Sequence, residues 1–239
     1  MKSPNKLTVG LEPGVTTALV YPAGSQASGR TLILGHGAGA GQQSGFMVAF
    51  ARALSALGAD VVTFNFLYAE LGRRIPDRAP ALEACFRAVI DVVRREVTGA
   101  ATGLFISGKS MGGRIATQVA AADRELPIDG LVLLGYPLHP PGRPDERRDK
   151  HLPLIRRPML FVQGSRDAFG TPAELEPLLA SFTPRAVMQI VDGGDHSFKL
   201  ARRDAAAQAA AYATAQQAIV SWMNTTSKAI TTNDRSSFP

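Results

Sequence analysis

The chain has 239 residues, 45% hydrophobic and 19% charged, which suits one large α/β domain with a substantial core. No segment is long and apolar enough to span a membrane, and the charged start Met1-Lys-Ser-Pro-Asn-Lys-Leu-Thr has no apolar run behind it, so no signal peptide is expected. The net charge of +6 is dispersed among few aromatics, and the lone Cys85 rules out an intrachain disulfide; a soluble cytoplasmic protein without a nucleic-acid partner is expected.

An edge strand is expected over Leu7–Leu11 and another over Val15–Tyr21, followed by a turn-rich stretch from Pro22 to Gly29. Thr31–Leu34 reads as a buried strand. It runs into Gly35-His-Gly-Ala-Gly-Ala-Gly41, a loop almost without side chains. Phe46–Leu57 reads as a helix with Phe46, Phe50, Leu54 and Leu57 on one face, ended by Gly58. Asp60–Asn65 is the next strand, and residues 66–79 form a polar loop with Leu67, Tyr68, Glu70 and Pro76. Ala79–Val97 is strongly amphipathic: Leu82, Cys85/Phe86, Val89/Ile90 and Val93 recur at three and four. Cys85 falls on that stripe and reads as a buried structural thiol.

Leu104-Phe-Ile106 is a short strand, and Gly113–Ala122 an Ala-rich helix. Gly130–Leu134 is another strand. Gly135–Pro144 holds too many prolines for a helix, and Asp145–Arg157 is charged and mostly basic. Pro158–Val162 is a strand running into Gln163-Gly-Ser-Arg-Asp167. Thr171 caps a helix reaching about Ser181, with Pro172 at its first position. Ala186–Val191, the last strand, empties into Asp192-Gly-Gly-Asp-His196-Ser-Phe. A long helix follows from Asp204 to about Asn224, completing one domain over residues 1–224. Residues 225–239 are polar without apolar period, and a disordered tail is expected there.

The alternation from residue 31 onward implies an α/β fold: a mostly parallel sheet of about seven strands with helices on both faces. Loops leaving parallel strands collect at one sheet edge, where such folds bind ligands. Ala38, Ser110, Tyr136, Asp167 and His196 all follow strands and are expected to meet there.

Gly108-Lys-Ser110-Met-Gly112 fits G-x-S-x-G between a strand and a helix, the setting of a nucleophile elbow. The two glycines suit a tight crossing, and the Met111 N–H, at a helix start, is free to bind an oxyanion. The same letters from Gly103 to Ser110 match the phosphate-binding pattern G-x-x-x-x-G-K-[ST]. Context rejects it, because the intervening residues are themselves the strand. The loop at Gly35 resembles a dinucleotide fingerprint, yet the next strand ends in Asn65 rather than an acid. It also fits an H-G-x-G oxyanion loop, with the N–H of Ala38, or of Gly37 one register back, facing the reacting carbonyl. His36 reads as a brace for that loop.

A serine hydroxyl needs a base, and the base an acidic partner. His196 in its Gly-rich loop is the best base. Asp167 follows the preceding strand and is the candidate partner; a turn aspartate is the alternative. Asp192 and Asp195 read as loop-shaping residues and Lys109 as an exposed elbow side chain. Gly37, Tyr68, Tyr136 and His139 are candidate pocket residues, although exposed loop positions are the plainer expectation for His139 and His151. No metal-ligand cluster is evident.

Leu34-Gly-His-Gly-Ala-Gly-Ala-Gly41, Gly108–Arg114, Gly135–Pro144, Gly164-Ser-Arg-Asp167 and Gly194-Asp-His-Ser-Phe198 resemble the small bacterial dienelactone-hydrolase-like α/β-hydrolases. The likeness is greatest to the branch that includes testis-expressed and chromatin-complex relatives of animals, and covers about residues 15–223. The resemblance implies an α/β-hydrolase core with minimal or no lid, Ser110, Asp167 and His196 as triad, and Ala38 and Met111 as oxyanion donors. Dienelactone hydrolase proper has a cysteine nucleophile where this chain has Ser110. The expected activity is a serine esterase on small acyl esters, with thioesterase or lactonase as variants. A non-catalytic binding protein and a phosphate-binding-loop protein are the alternatives. The expected partner is a small-molecule ester, with no cofactor, metal, nucleic acid or membrane, in a monomer or homodimer.

Overall fold

The computed structural model describes residues 3–24, 27–184, 186–201 and 204–235, with side chains as far as residue 226. β1 (Asn5–Leu11) and β2 (Gly14–Tyr21) form an antiparallel hairpin at one edge. Six further strands follow: β3 (Arg30–Gly35), β4 (Ala59–Phe64), β5 (Leu104–Lys109), β6 (Gly130–Leu134), β7 (Met159–Gly164) and β8 (Val187–Val191). The order across the eight-stranded sheet is β1-β2-β4-β3-β5-β6-β7-β8. β2 pairs antiparallel with β4, and every pair from β4 to β8 is parallel. The sheet has eight strands, in keeping with the expected fold of about seven, and the expected edge strand at Leu7–Leu11 starts two residues earlier, at Asn5.

The inner strands are mostly apolar and almost wholly buried because helices cover both faces. Alternate residues separate the two cores. Leu32 and Leu34 of β3 pack with Phe50 and Leu54 of α1 (Gly45–Ala56) and Ile219 of α6 (Ala205–Arg235). Ile33, between them, packs on the opposite side with Phe86 and Val89 of α3 (Ala79–Glu96) and Ile115 of α4 (Met111–Ala122). Cys85 lies in this second core, 2% exposed, with burial pushing its thiol up to about 12. It is an inert structural thiol.

The polar 66–79 stretch contains a single helical turn, α2 (Leu67–Glu70), which the sequence pattern does not show. Phe66 and Tyr68 are fully buried around it, so two aromatic anchors fold a segment otherwise polar. α5 (Pro172–Leu179) starts after Thr171, whose N–H and hydroxyl both donate to Glu174. α6 runs to Arg235, past the Asn224 boundary given by apolar periodicity. Once nucleated, a helix propagates through hydrogen bonds that need no apolar face. The last four residues of the expected tail lie outside the described residues.

Candidate active site

β5 and β3 run side by side with Gly35 opposite Gly108. α4 leaves β5 so abruptly that a Cβ on Gly108 would overlap the Gly112 carbonyl carbon, and one on Gly112 would overlap the Gly35 carbonyl. Ser110, between them, has φ 52° and ψ −113°, a region that L-residues avoid. Such strain persists only where surrounding structure imposes it. Here the Ser110 N–H donates to Leu134 O at 2.9 Å, and its carbonyl accepts from the Arg114 N–H at 3.1 Å. The residues from Leu104 to Lys109 are buried strand, so the phosphate-loop letters enclose no open anion-binding loop.

Ser110 Oγ lies 2.8 Å from His196 Nε2. On the other side of the ring, His196 Nδ1 lies 2.8 and 3.0 Å from the two carboxylate oxygens of Asp167. A neutral imidazole has one N–H, and the carboxylate fixes it at Nδ1, leaving the Nε2 lone pair facing Ser110. Asp167 is fully buried and His196 is 21% exposed, so the base reaches solvent while its partner does not. Residues from the tips of β5, β7 and β8 thus converge, far apart in sequence but adjacent across the sheet.

Two supporting residues had no motif to announce them. Gln163, fully buried near the end of β7, donates from Nε2 to Asp167 Oδ2 at 2.8 Å and to Gly170 O at 2.7 Å. Its Oε1 accepts the Tyr136 N–H at 2.9 Å, so one amide joins the β6 and β7 loops and orients the acid. The Phe169 N–H donates to Asp167 Oδ1 at 2.8 Å, and the Phe169 ring stacks on His196 with centroids 4.1 Å apart. The available signal for Gln163 was a lone polar residue in an apolar strand.

A cavity of about 660 Å³ opens at Ser110; Gly37, Ala38, Met111, Phe169 and His196 are among its walls. Met111 opens α4, where its N–H has no intrahelical acceptor. Among the described residues the Ala38 N–H donates to no backbone acceptor. His36 braces this loop as expected: fully buried, it accepts the Phe66 N–H at Nε2 (3.1 Å) and meets Gly37 O through Nδ1 (2.8 Å). Burial lowers its pKa, which keeps the ring neutral for that pattern.

Several expectations need correction. Lys109 is 8% exposed, not on the surface. It lies on the cavity wall, 5.9 Å from the centre of the Phe46 ring. Gly135 makes room for it: with φ 61°, a Cβ there would stand 3.2 Å from the Lys109 Nζ and 2.8 Å from the His196 carbonyl. Tyr68, Tyr136 and His139 do not line the cavity. Tyr68 is buried in the core beside His36, and the Tyr136 hydroxyl donates to Arg148 O at 2.6 Å. His139 is 6% exposed; its backbone N–H donates to Phe169 O at 3.1 Å and its Nε2 lies 3.1 Å from Glu174 Oε1. His151 is half-buried with Nε2 2.8 Å from Thr117 Oγ1; burial, then Arg114, depresses its pKa to about 4.

Solved structures share this fold. An α/β serine hydrolase without a lid from Xanthomonas campestris is 20% identical, with 93% of this chain and 96% of that one covered and a TM-score of 0.70. A dienelactone hydrolase from Anabaena variabilis is 18% identical over 90% and 97% of the two chains, with a TM-score of 0.68. The esterase domain of a Rhodothermus marinus protein is 14% identical over 93% and 98%, with a TM-score of 0.69. Residues 28–224 match the family described as an alpha/beta hydrolase domain. The strained serine between β5 and α4, the mostly parallel sheet and this match agree: the chain belongs to the α/β-hydrolases.

Proposed function

We propose that the chain is a serine hydrolase that cleaves small acyl esters through an acyl-enzyme on Ser110. The observation that carries this reading is the continuous chain of contacts from Ser110 Oγ to His196 Nε2 (2.8 Å) and from His196 Nδ1 to buried Asp167 (2.8 Å), open to the cavity. Ser110 attacks the carbonyl carbon while His196 Nε2 takes its proton, and Asp167 stabilises the imidazolium. The N–H groups of Ala38 and Met111 receive the oxyanion; one such donor is typically worth about 2.7–4 kcal/mol of transition-state stabilisation. His196 then returns the proton to the leaving alkoxide and activates water to release the acid. Solved structures described as serine hydrolases and esterases share the fold, which supports hydrolysis and leaves the ester preference to experiment.

No domain-sized insertion covers the cavity among the described residues, so short acyl chains suit it better than long lipids. The reading includes action in the cytoplasm on a small-molecule substrate. The test is labelling by a fluorophosphonate probe beside Ser110→Ala and His196→Ala, with turnover of p-nitrophenyl acetate and palmitate. Wild type is expected to label and to favour acetate, and Ser110→Ala to do neither. A folded wild-type protein that neither labels nor turns over ester would leave a binding scaffold. Faster palmitate cleavage would overturn the short-chain reading.

A further inference from the structure

Arg114 lies on the first turn of α4, one turn beyond Ser110. Helix side chains tilt towards the N-terminus, so its side chain leans back towards the nucleophile. Arg148 comes from the loop between β6 and β7. Its backbone is held twice: its N–H donates to Leu138 O at 2.8 Å, and its carbonyl accepts the buried Tyr136 hydroxyl at 2.6 Å. Both arginines line the Ser110 cavity.

The Arg148 guanidinium feels the charge of Arg114. The Arg148 pKa is lowered first by burial and then by Arg114. The acids around them are already engaged. Asp149 pairs with Arg147 at 2.7 Å, Glu146 with Arg143 at 3.3 Å, and Asp77, on the cavity wall, with Arg73 at 2.8 Å. Among the described residues neither Arg114 nor Arg148 has an acidic side chain within 4.0 Å. Lys109 is a third cation on the wall. Like charges held together at the edge of a pocket, with nearby acids paired elsewhere, leave a site for an anion supplied by a ligand.

We propose that Arg114 and Arg148 recognise a carboxylate on the acyl part of the substrate, so that the preferred esters are half-esters of dicarboxylic acids. The proposal rests on the esterase reading of Ser110. The planar fork of each guanidinium matches a carboxylate, and the anchored backbone of Arg148 fixes where its side chain leaves the loop. Ser110 and both arginines line one cavity, so the acid they select belongs to the ester bound at Ser110.

The experiment compares mono-p-nitrophenyl adipate with p-nitrophenyl hexanoate, which share leaving group and acyl length, after subtraction of the enzyme-free rates. Wild type is expected to favour the anionic ester by about 10-fold or more in kcat/KM, the scale of one charge-assisted hydrogen bond. That ratio is expected to collapse in Arg114→Gln/Arg148→Gln, to recover in part in Arg114→Lys, and to stay at the wild-type value in Arg156→Gln, an exposed arginine on the same loop that pairs with none of these acids. Turnover of both esters with no preference for the anion would overturn the arginine site and leave the esterase reading standing. If neither ester turns over, calorimetry with adipate decides: binding by wild type that is lost in the double variant upholds the site without the reaction, and no binding overturns it.

Discussion

Replacing Lys109 by Met tests how the elbow stores charge. Lys109 is 8% exposed, and burial drives its pKa down to about 8 against a restoring pull from Asp167 and Asp195. The unfolded chain titrates near 10.5. Between these values the folded protein binds fewer protons than the unfolded one, so its stability rises with pH across that window. Each tenfold difference in proton affinity between the two states is worth about 1.36 kcal/mol. At pH 7 charging the folded amine therefore costs about 3 kcal/mol relative to the unfolded chain, and at pH 9.5 about 1 kcal/mol. Met has a similar length and never charges. Lys109→Met is therefore expected to be more stable than wild type by about 3 kcal/mol at pH 7, with the advantage falling to about 1 kcal/mol at pH 9.5. Urea unfolding of both proteins at the two pH values measures this. A gap that does not change with pH, or a Met variant less stable at pH 7, would refute the account of Lys109 as a buried, destabilising cation.

Other expectations concern the site's supports. Gln163→Leu keeps volume but removes the donor to Asp167 and the acceptor for the Tyr136 N–H; a loss of about 10–100-fold in kcat/KM is expected from one charge-assisted hydrogen bond, and a value within threefold of wild type would count against the clamp. Gly108→Ala puts a methyl group into the Gly112 backbone, and its circular dichroism melt is expected to show loss of the cooperative transition or a large drop in Tm. His151 is held well below its ordinary pKa, so the unfolded chain takes up its proton first as pH falls from 6.5 towards 4, and stability is lost over that range. His151→Gln, which retains a partner for Thr117, is expected to flatten the dependence of Tm on pH between 6.5 and 4.

Much of the framework was legible in local pattern. The period-four stripe of Leu82, Phe86 and Ile90 marked α3, and short apolar runs marked every parallel strand. The tips of β5, β7 and β8 carried Ser110, Asp167 and His196 in an order that parallel topology brings together. Gly108 and Gly112 announced a close crossing because only a missing Cβ permits it. These features depend on each residue's own backbone and on its nearest neighbours along the chain. Which loop covers which tip depends on strand order and on contacts between residues tens of positions apart. That is why Gln163 joins the β6 and β7 loops, why Phe169 stacks on His196, and why Lys109 is buried where Gly135 leaves space. It is also why Tyr68, Tyr136 and His139, candidate pocket residues by sequence, are buried away from the cavity, while Arg148, from a stretch that reads only as charged and mostly basic, stands on the cavity wall. A local pattern sets the side of an element on which a residue lies; only the packed neighbours across the sheet decide what that side faces.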